Sequence, residues 1–142
     1  MIEATLQTYV ASASAVSAEI GARIYPQTIP QRGNDTTKVT RPLIVYQSNG
    51  FKPDYHMKGV NEDGKATMEF ECQAETYFAA KSLAAAVLDR LHKLTALCPC
   101  QLPGHWIESC FAETQPDDHT PGISGQETGF HSVTVQTEIT FI

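Results

Sequence analysis

Apolar and polar residues alternate strictly over residues 66–75. Ala66, Met68, Phe70, Cys72 and Ala74 point one way, and Thr67, Glu69, Glu71, Gln73 and Glu75 the other. That period of two predicts a strand with one buried face. Val133, Val135, Thr137, Ile139 and Phe141 alternate in the same way with Thr134, Gln136, Glu138, Thr140 and Ile142, predicting a long C-terminal strand. Residues 43–47 are apolar on both faces, as in a buried central strand. Residues 51–60 predict another strand, weakened by Pro53, and Asn61-Glu62-Asp63-Gly64 predicts a hairpin turn through its Asp-Gly pair. Residues 105–113 read as a strand of poor alternation.

Helical spacing governs two other stretches. Ile2, Leu6, Tyr9, Val10, Ala13, Val16 and Ile20 fall on one face of an N-terminal helix, which Gly21 ends. Tyr77, Ala80, Leu83, Ala84, Val87, Leu88, Leu91 and Leu94 define a second helix over about 77–95, with Thr76 as its N-cap. Residues 27–40 and 115–128 are rich in loop-forming residues, and connections that long in a compact domain are usually functional. The predicted order is α-β-β-β-α-β-β. The fold class is α+β: a mixed or mostly antiparallel sheet of four to five strands, with two helices packed on one face. The Glu69, Glu71 and Glu75 side of the sheet is then the uncovered one.

Composition narrows the picture modestly. The 142 residues fit one domain spanning 1–142, and a domain of this size buries roughly two-thirds of its unfolded surface without a staple. No apolar run approaches the roughly 20 residues needed to cross a bilayer. The N-terminus lacks a signal-peptide pattern, so the expectation is a soluble cytosolic chain. The net charge of −6 is unevenly placed. Residues 1–65 hold seven Lys/Arg and six Asp/Glu, whereas residues 66–142 hold three and ten. A phosphate-binding surface in the second half is therefore not expected. The asymmetry fits plain solubility, or a subunit that offers a more basic side to a neighbour's acidic side. The four cysteines are expected to be free thiols in a reducing compartment.

Two phrases carry a family resemblance. Gly21-Ala22-Arg23-Ile24-Tyr25-Pro26 closes the first helix, and Arg41-Pro42-Leu43-Ile44-Val45-Tyr46-Gln47 opens a strand after a polar loop. Met68-Glu69-Phe70-Glu71-Cys72-Gln73-Ala74, the Tyr77, Ala80, Leu83, Ala84 helix start and Glu127-Thr128-Gly129-Phe130-His131-Ser132 continue it. With these the chain resembles the tail-completion family of long-tailed bacteriophages, which includes tail terminators and tail-to-head joining proteins. Family members usually carry a basic residue after the histidine, where Ser132 stands here.

The resemblance implies a virion structural protein that forms a ring, commonly a hexamer, at the head-proximal end of the tail. The ring caps the tail tube and joins tail to head. Its implied partners are other copies of itself, the tail-tube protein and the head-tail connector, with DNA only passing through and no membrane. The implied location is the virion, with assembly in the host cytoplasm. Neither a catalytic role nor a cofactor is expected.

Candidate assembly residues are Arg32 and Lys38 in the first loop, Tyr55 in the following hairpin, and Asp117 and Asp118 in the second loop. Reversing Arg32 and Lys38 to Glu is expected to block assembly without unfolding the monomer. Glu69, Glu71 and Glu75 are candidates for a channel face, where like charge would keep DNA from sticking; solvent exposure explains them equally well. A head-tail connector or tail-tube subunit is the nearest alternative. A different class, a small zinc-binding or enzymatic domain, would draw on Cys98, Cys100, His105 and Cys110, but their spacing is not the usual C-x₂₋₄-C pairing, and no metal is expected. There is no G-x-S-x-G, Walker A or H-E-x-x-H motif.

Overall fold

The alternating strand at the centre of the sequence is also the centre of the sheet. The protein is described by a computed structural model covering residues 2–21, 23–26, 41–56, 59–120 and 130–141. The helices are α1 (Ile2–Ala11), α2 (Ser14–Ile20) and α3 (Tyr77–Leu97). The strands are β1 (Ile24–Pro26), β2 (Leu43–His56), β3 (Gly59–Ala74), β4 (Cys100–Leu102), β5 (His105–Thr114), β6 (Asp118–Thr120) and β7 (Phe130–Phe141). The strands form one sheet in the order β1-β2-β3-β7-β5-β4, with β6 pairing to β7. β1 and β2 are parallel and every other pair is antiparallel, so the sheet is mixed.

The α+β class stands, and the details differ in four places. First, the N-terminal helix is two helices. Ala13 takes an extended conformation, φ −68° and ψ 130°. Arg90 of α3 braces the break by donating to the Tyr9 carbonyl at 3.1 Å and to Ser12 Oγ at 3.1 Å. The apolar stripe survives the break, since Ile2, Leu6, Val10, Val16 and Ile20 are all buried.

Second, the strand expected at 43–47 and most of the one expected at 51–60 are one continuous β2, and Gly59 and Val60 already belong to β3. The pairing with β3 shifts between Ser48 and Gly50 and again between Pro53 and Tyr55, so Gly50 (φ +146°) and Pro53 are absorbed as irregularities. Third, the predicted turn at 61–64 lies inside β3. His56 pairs with Gly59, which puts the reversal there, and Gly64 sits opposite Pro53. A long hairpin results, and its tip extends beyond Gly64, the last β3 residue paired with β7.

Fourth, β1, β4 and β6 were not expected. Each has three residues, too short for periodicity to register. The poor alternation of β5 also has a cause. Its register with β7 shifts between Ile107 and Ser109, so Ile107 and Cys110, three residues apart, both face the core.

All three helices cover one face. Their buried side chains join Ile44, Met68, Phe70, Cys72, Ile107, Val133, Val135 and Ile139 in one cluster. α3 begins as predicted: Thr76 Oγ1 accepts from the Ala79 amide at 3.2 Å.

The two phrases that opened the family resemblance fold onto each other. Gly21 takes φ +59° at the end of α2, a conformation that favours glycine. Ile24, Tyr25 and Pro26 then pair in parallel with Ile44, Val45 and Tyr46. The Arg23 guanidinium donates to the Pro42 carbonyl at 3.0 Å and the Glu19 carbonyl at 3.1 Å, fastening the helix end to the strand start. The motif residues thus secure a junction of the fold.

Candidate functional site

The helices leave the opposite face of the sheet uncovered over its middle, and that open face gathers the acidic and amide side chains. The register sets them in rows. Gln47, Glu69, Gln136 and Glu113 form one row across β2, β3, β7 and β5. Thr67, Glu138 and Phe111 form the row on one side of it, and Val45, Glu71 and Thr134 the row on the other.

Amides hold the carboxylates in place. Gln47 Nε2 donates to Glu69 Oε2 at 3.2 Å and Gln73 Nε2 to Glu71 Oε1 at 3.1 Å. Arg41 Nε donates to Gln73 Oε1 at 3.3 Å, and its guanidinium lies 4.1 Å from the centre of the Phe130 ring. Glu113 and Glu138 are exposed and make no ion pair among the described residues.

The predicted channel residues divide. Glu69 and Glu71 lie on the open face. Glu75 does not, because β3 ends at Ala74 and Glu75 sits in the bend before α3, exposed to solvent. Extending the alternation one residue past the strand misplaced it.

The predicted assembly residues scatter. Arg32 and Lys38 lie outside the described residues. Tyr55 is in the far part of β2, paired with Val60 near the hairpin end. Asp118 opens β6, paired with Ser132. Asp117 is engaged within the chain. Lys81 Nζ lies 2.6 Å from its Oδ1, and the Tyr77 hydroxyl donates to its Oδ2 at 3.1 Å. The Lys81 hydrogen bond, foremost, holds the Asp117 carboxyl below its usual value, and the same contact raises Lys81.

The cysteine–histidine group is spread over different environments. Cys98 follows α3, and Cys100 begins β4 opposite Ile107. The His105 ring packs edge-on against Phe141, with centroids 5.3 Å apart. Cys110 is buried with its Sγ 3.4 Å from Thr137 Oγ1. Burial, with Cys100 close by, pushes Cys98 up to about 12, and burial raises Cys110 as well. Both thiols are therefore held protonated at neutral pH. Among the described residues no group of three or more His, Cys, Asp or Glu side chains is placed to hold a metal ion, and no helix is long and apolar enough to cross a membrane.

Sequence reasoning missed Phe111. Its side chain is 63% exposed on the open face. Together with Thr67, Ala112, Glu113, Gln136 and Glu138 it lines an open depression of about 310 Å³. The only signal in the sequence was the broken alternation of 105–113, which leaves a large aromatic ring facing outward.

The fold has a counterpart among solved structures. It is similar to a chain of the virion of native gene transfer agent (GTA) particle. The likeness covers 99% of this chain and 93% of that chain, with a TM-score of 0.63 and 12% sequence identity. At that identity the likeness shows a shared fold. No family model matches the chain, and no curated protein matches it.

Proposed function

We propose that this chain is a virion structural protein that caps the phage tail tube and joins tail to head, acting as a ring of identical copies. The observation that carries the reading is the end-to-end fold likeness to a chain of a gene transfer agent virion, spanning nearly the full length of both chains. The G-x-R-I-Y-P and P-L-I-V-Y-Q phrases add to it. Their residues build the α2–β1–β2 junction, so the part of the sequence that resembles tail-completion proteins is a structural fastening of this fold.

A tube grows by repeating one heterologous interface, and a cap must match the last ring on one side and present a non-matching surface on the other. A rigid sheet covered on one face only suits that task, because the helices fix its shape and the open face and loops are left for partners. In this role the partners are further copies of the chain, the tail-tube protein and the head-tail connector. Glu69 and Glu71 face the channel, where negative charge repels the DNA backbone. No catalytic step is assigned to the chain.

Electron microscopy of phage lysates in which this gene alone is disabled tests the role. The expected picture is filled heads lying apart from tails of irregular length. Intact particles with normal tails would overturn it. Reversing Glu69 and Glu71 to Lys should leave particles assembled but slow DNA release; unchanged release kinetics would remove the channel assignment.

A further inference from the structure

We infer that the depression around Phe111 receives an arginine side chain of a different virion protein. The inference rests on the virion reading above and names a contact that this chain makes in the particle. Phe111 is a large apolar side chain left mostly in water on an otherwise polar sheet face. Its backbone is fixed from behind, where the buried Thr137 hydroxyl donates to the Phe111 carbonyl at 2.9 Å. Glu138 stands directly opposite Phe111, and Glu113 lies two residues further along β5, opposite Gln136. All of them line the same open depression.

The lining selects the ligand. Glu113 and Glu138 are diagonal neighbours across β5 and β7, so their side chains start about 7–8 Å apart. One guanidinium bridges such a gap, donating to a carboxylate on each side while its plane lies over the adjacent ring. A lysine ammonium is a point charge without that fork. The depression is open, so a small free cation would stay mostly in water, whereas small-molecule pockets bury most of their ligand. An arginine carried by a protein needs no such enclosure, because the contact around it excludes water.

The chain does not supply this cation to itself. Residues 94–142 hold six Asp/Glu and no Lys or Arg. Lys65 stands one row away on β3, opposite Thr140, and makes no ion pair among the described residues. A second copy is a poor source as well, because three of the four arginines are engaged within the fold. Arg23 donates to the Pro42 and Glu19 carbonyls, Arg41 donates to Gln73 and lies over the Phe130 ring, and Arg90 donates to the Tyr9 carbonyl and Ser12. The fourth, Arg32, lies outside the described residues. Charge complementarity therefore selects another protein of the particle.

Replacing Phe111 with the photoreactive analogue p-benzoylphenylalanine, in particles assembled on that chain, tests the partner. Mass spectrometry after irradiation should find residue 111 joined to an arginine-containing segment of another virion protein. A crosslink to this chain itself, a crosslink to a segment without arginine, or no crosslink in assembled particles would overturn the inference. The captured protein, once purified, should bind the full wild-type chain. The double variant Glu113→Gln with Glu138→Gln, shown by circular dichroism to fold, should bind it more than about tenfold more weakly. Equal binding by the two chains, or none by wild type, would also overturn it. The cap reading fails separately: if disabling the gene leaves normal tails and the crosslink still forms, that reading is lost and this surface stands. If joining depends on the gene and no crosslink forms, the cap reading stands and this surface is lost.

Discussion

The two faces of β3 obey different rules although they share one backbone. On the covered face Ala66, Met68, Phe70, Cys72 and Ala74 are sealed under the helices. On the other, Thr67, Glu69 and Glu71 remain partly exposed, and amides of neighbouring residues hold the two carboxylates. The first face is constrained by packing, where each lost methylene matters. The second is constrained by little inside the monomer, which leaves it free to be shaped by a partner. Substitutions on the covered face should therefore act through folding, and those on the open face through the working of the particle, with the monomer's fold spared.

The largest expected effect is on the covered face. Phe70 is fully buried at the middle of the core. Phe70→Ala should cost about 3–5 kcal/mol, combining lost transfer energy with a cavity. Urea denaturation followed by circular dichroism checks it, and a loss under about 1 kcal/mol would mean that this face is not the packed one. Next comes the junction that holds β2 beside the helices. Arg23→Ala removes two charged-group hydrogen bonds to backbone carbonyls, and a loss of about 2 kcal/mol is expected. Lys at this position should restore little, because it lacks the fork that reaches both carbonyls.

A smaller effect tests the seam between the faces. Thr137 is fully buried, and its Oγ1 donates to the Phe111 carbonyl at 2.9 Å. Thr137→Val keeps the shape and removes the bond, so about 1 kcal/mol should be lost in the same denaturation assay.

What could be read from the sequence follows the same division. The covered faces of β3 and β7 and the apolar stripes of α1, α2 and α3 were legible because burial writes a period into the chain. The hairpin was misread because Asp63-Gly64 carries a strong local turn signal that longer pairing overrode: Gly64 is instead the partner of Pro53. β1 and β6 were invisible because three residues carry no period. The open face was legible in part. Glu69 and Glu71 follow the alternation, but Glu75 lies beyond the strand end, and Phe111 looks like a core residue until the shift at Ile107 and Ser109 is known. The interface residues first singled out in loops have no period to place them, and Asp117 was already committed to Lys81.

That pair gives a pH-dependent prediction. The folded Asp117 value is depressed, so its contribution is present above the unfolded carboxylate value and lost as pH falls through the folded one. The folded Lys81 value is raised, so its contribution is present below the unfolded amine value and lost as pH rises through the folded one. Asp117→Asn should therefore lower the melting temperature slightly at neutral pH and match wild type in strong acid. An equal difference at both pH values would show that the carboxylate charge is not what matters.

The smallest expected effect falls on the open face itself. Glu69→Gln and Glu71→Gln keep side-chain shape and an oxygen that can accept from Gln47 and Gln73. Monomer stability should change by less than about 0.5 kcal/mol, the usual range for surface substitutions. Each neutralisation also relieves some repulsion among Glu69, Glu71, Glu113 and Glu138, so any small shift should be stabilising and should shrink with added salt. A carboxylate that gains stability on removal is not kept for the monomer's sake. Destabilisation by either variant would instead make these carboxylates part of the fold, and the division between the two faces would fail at that point.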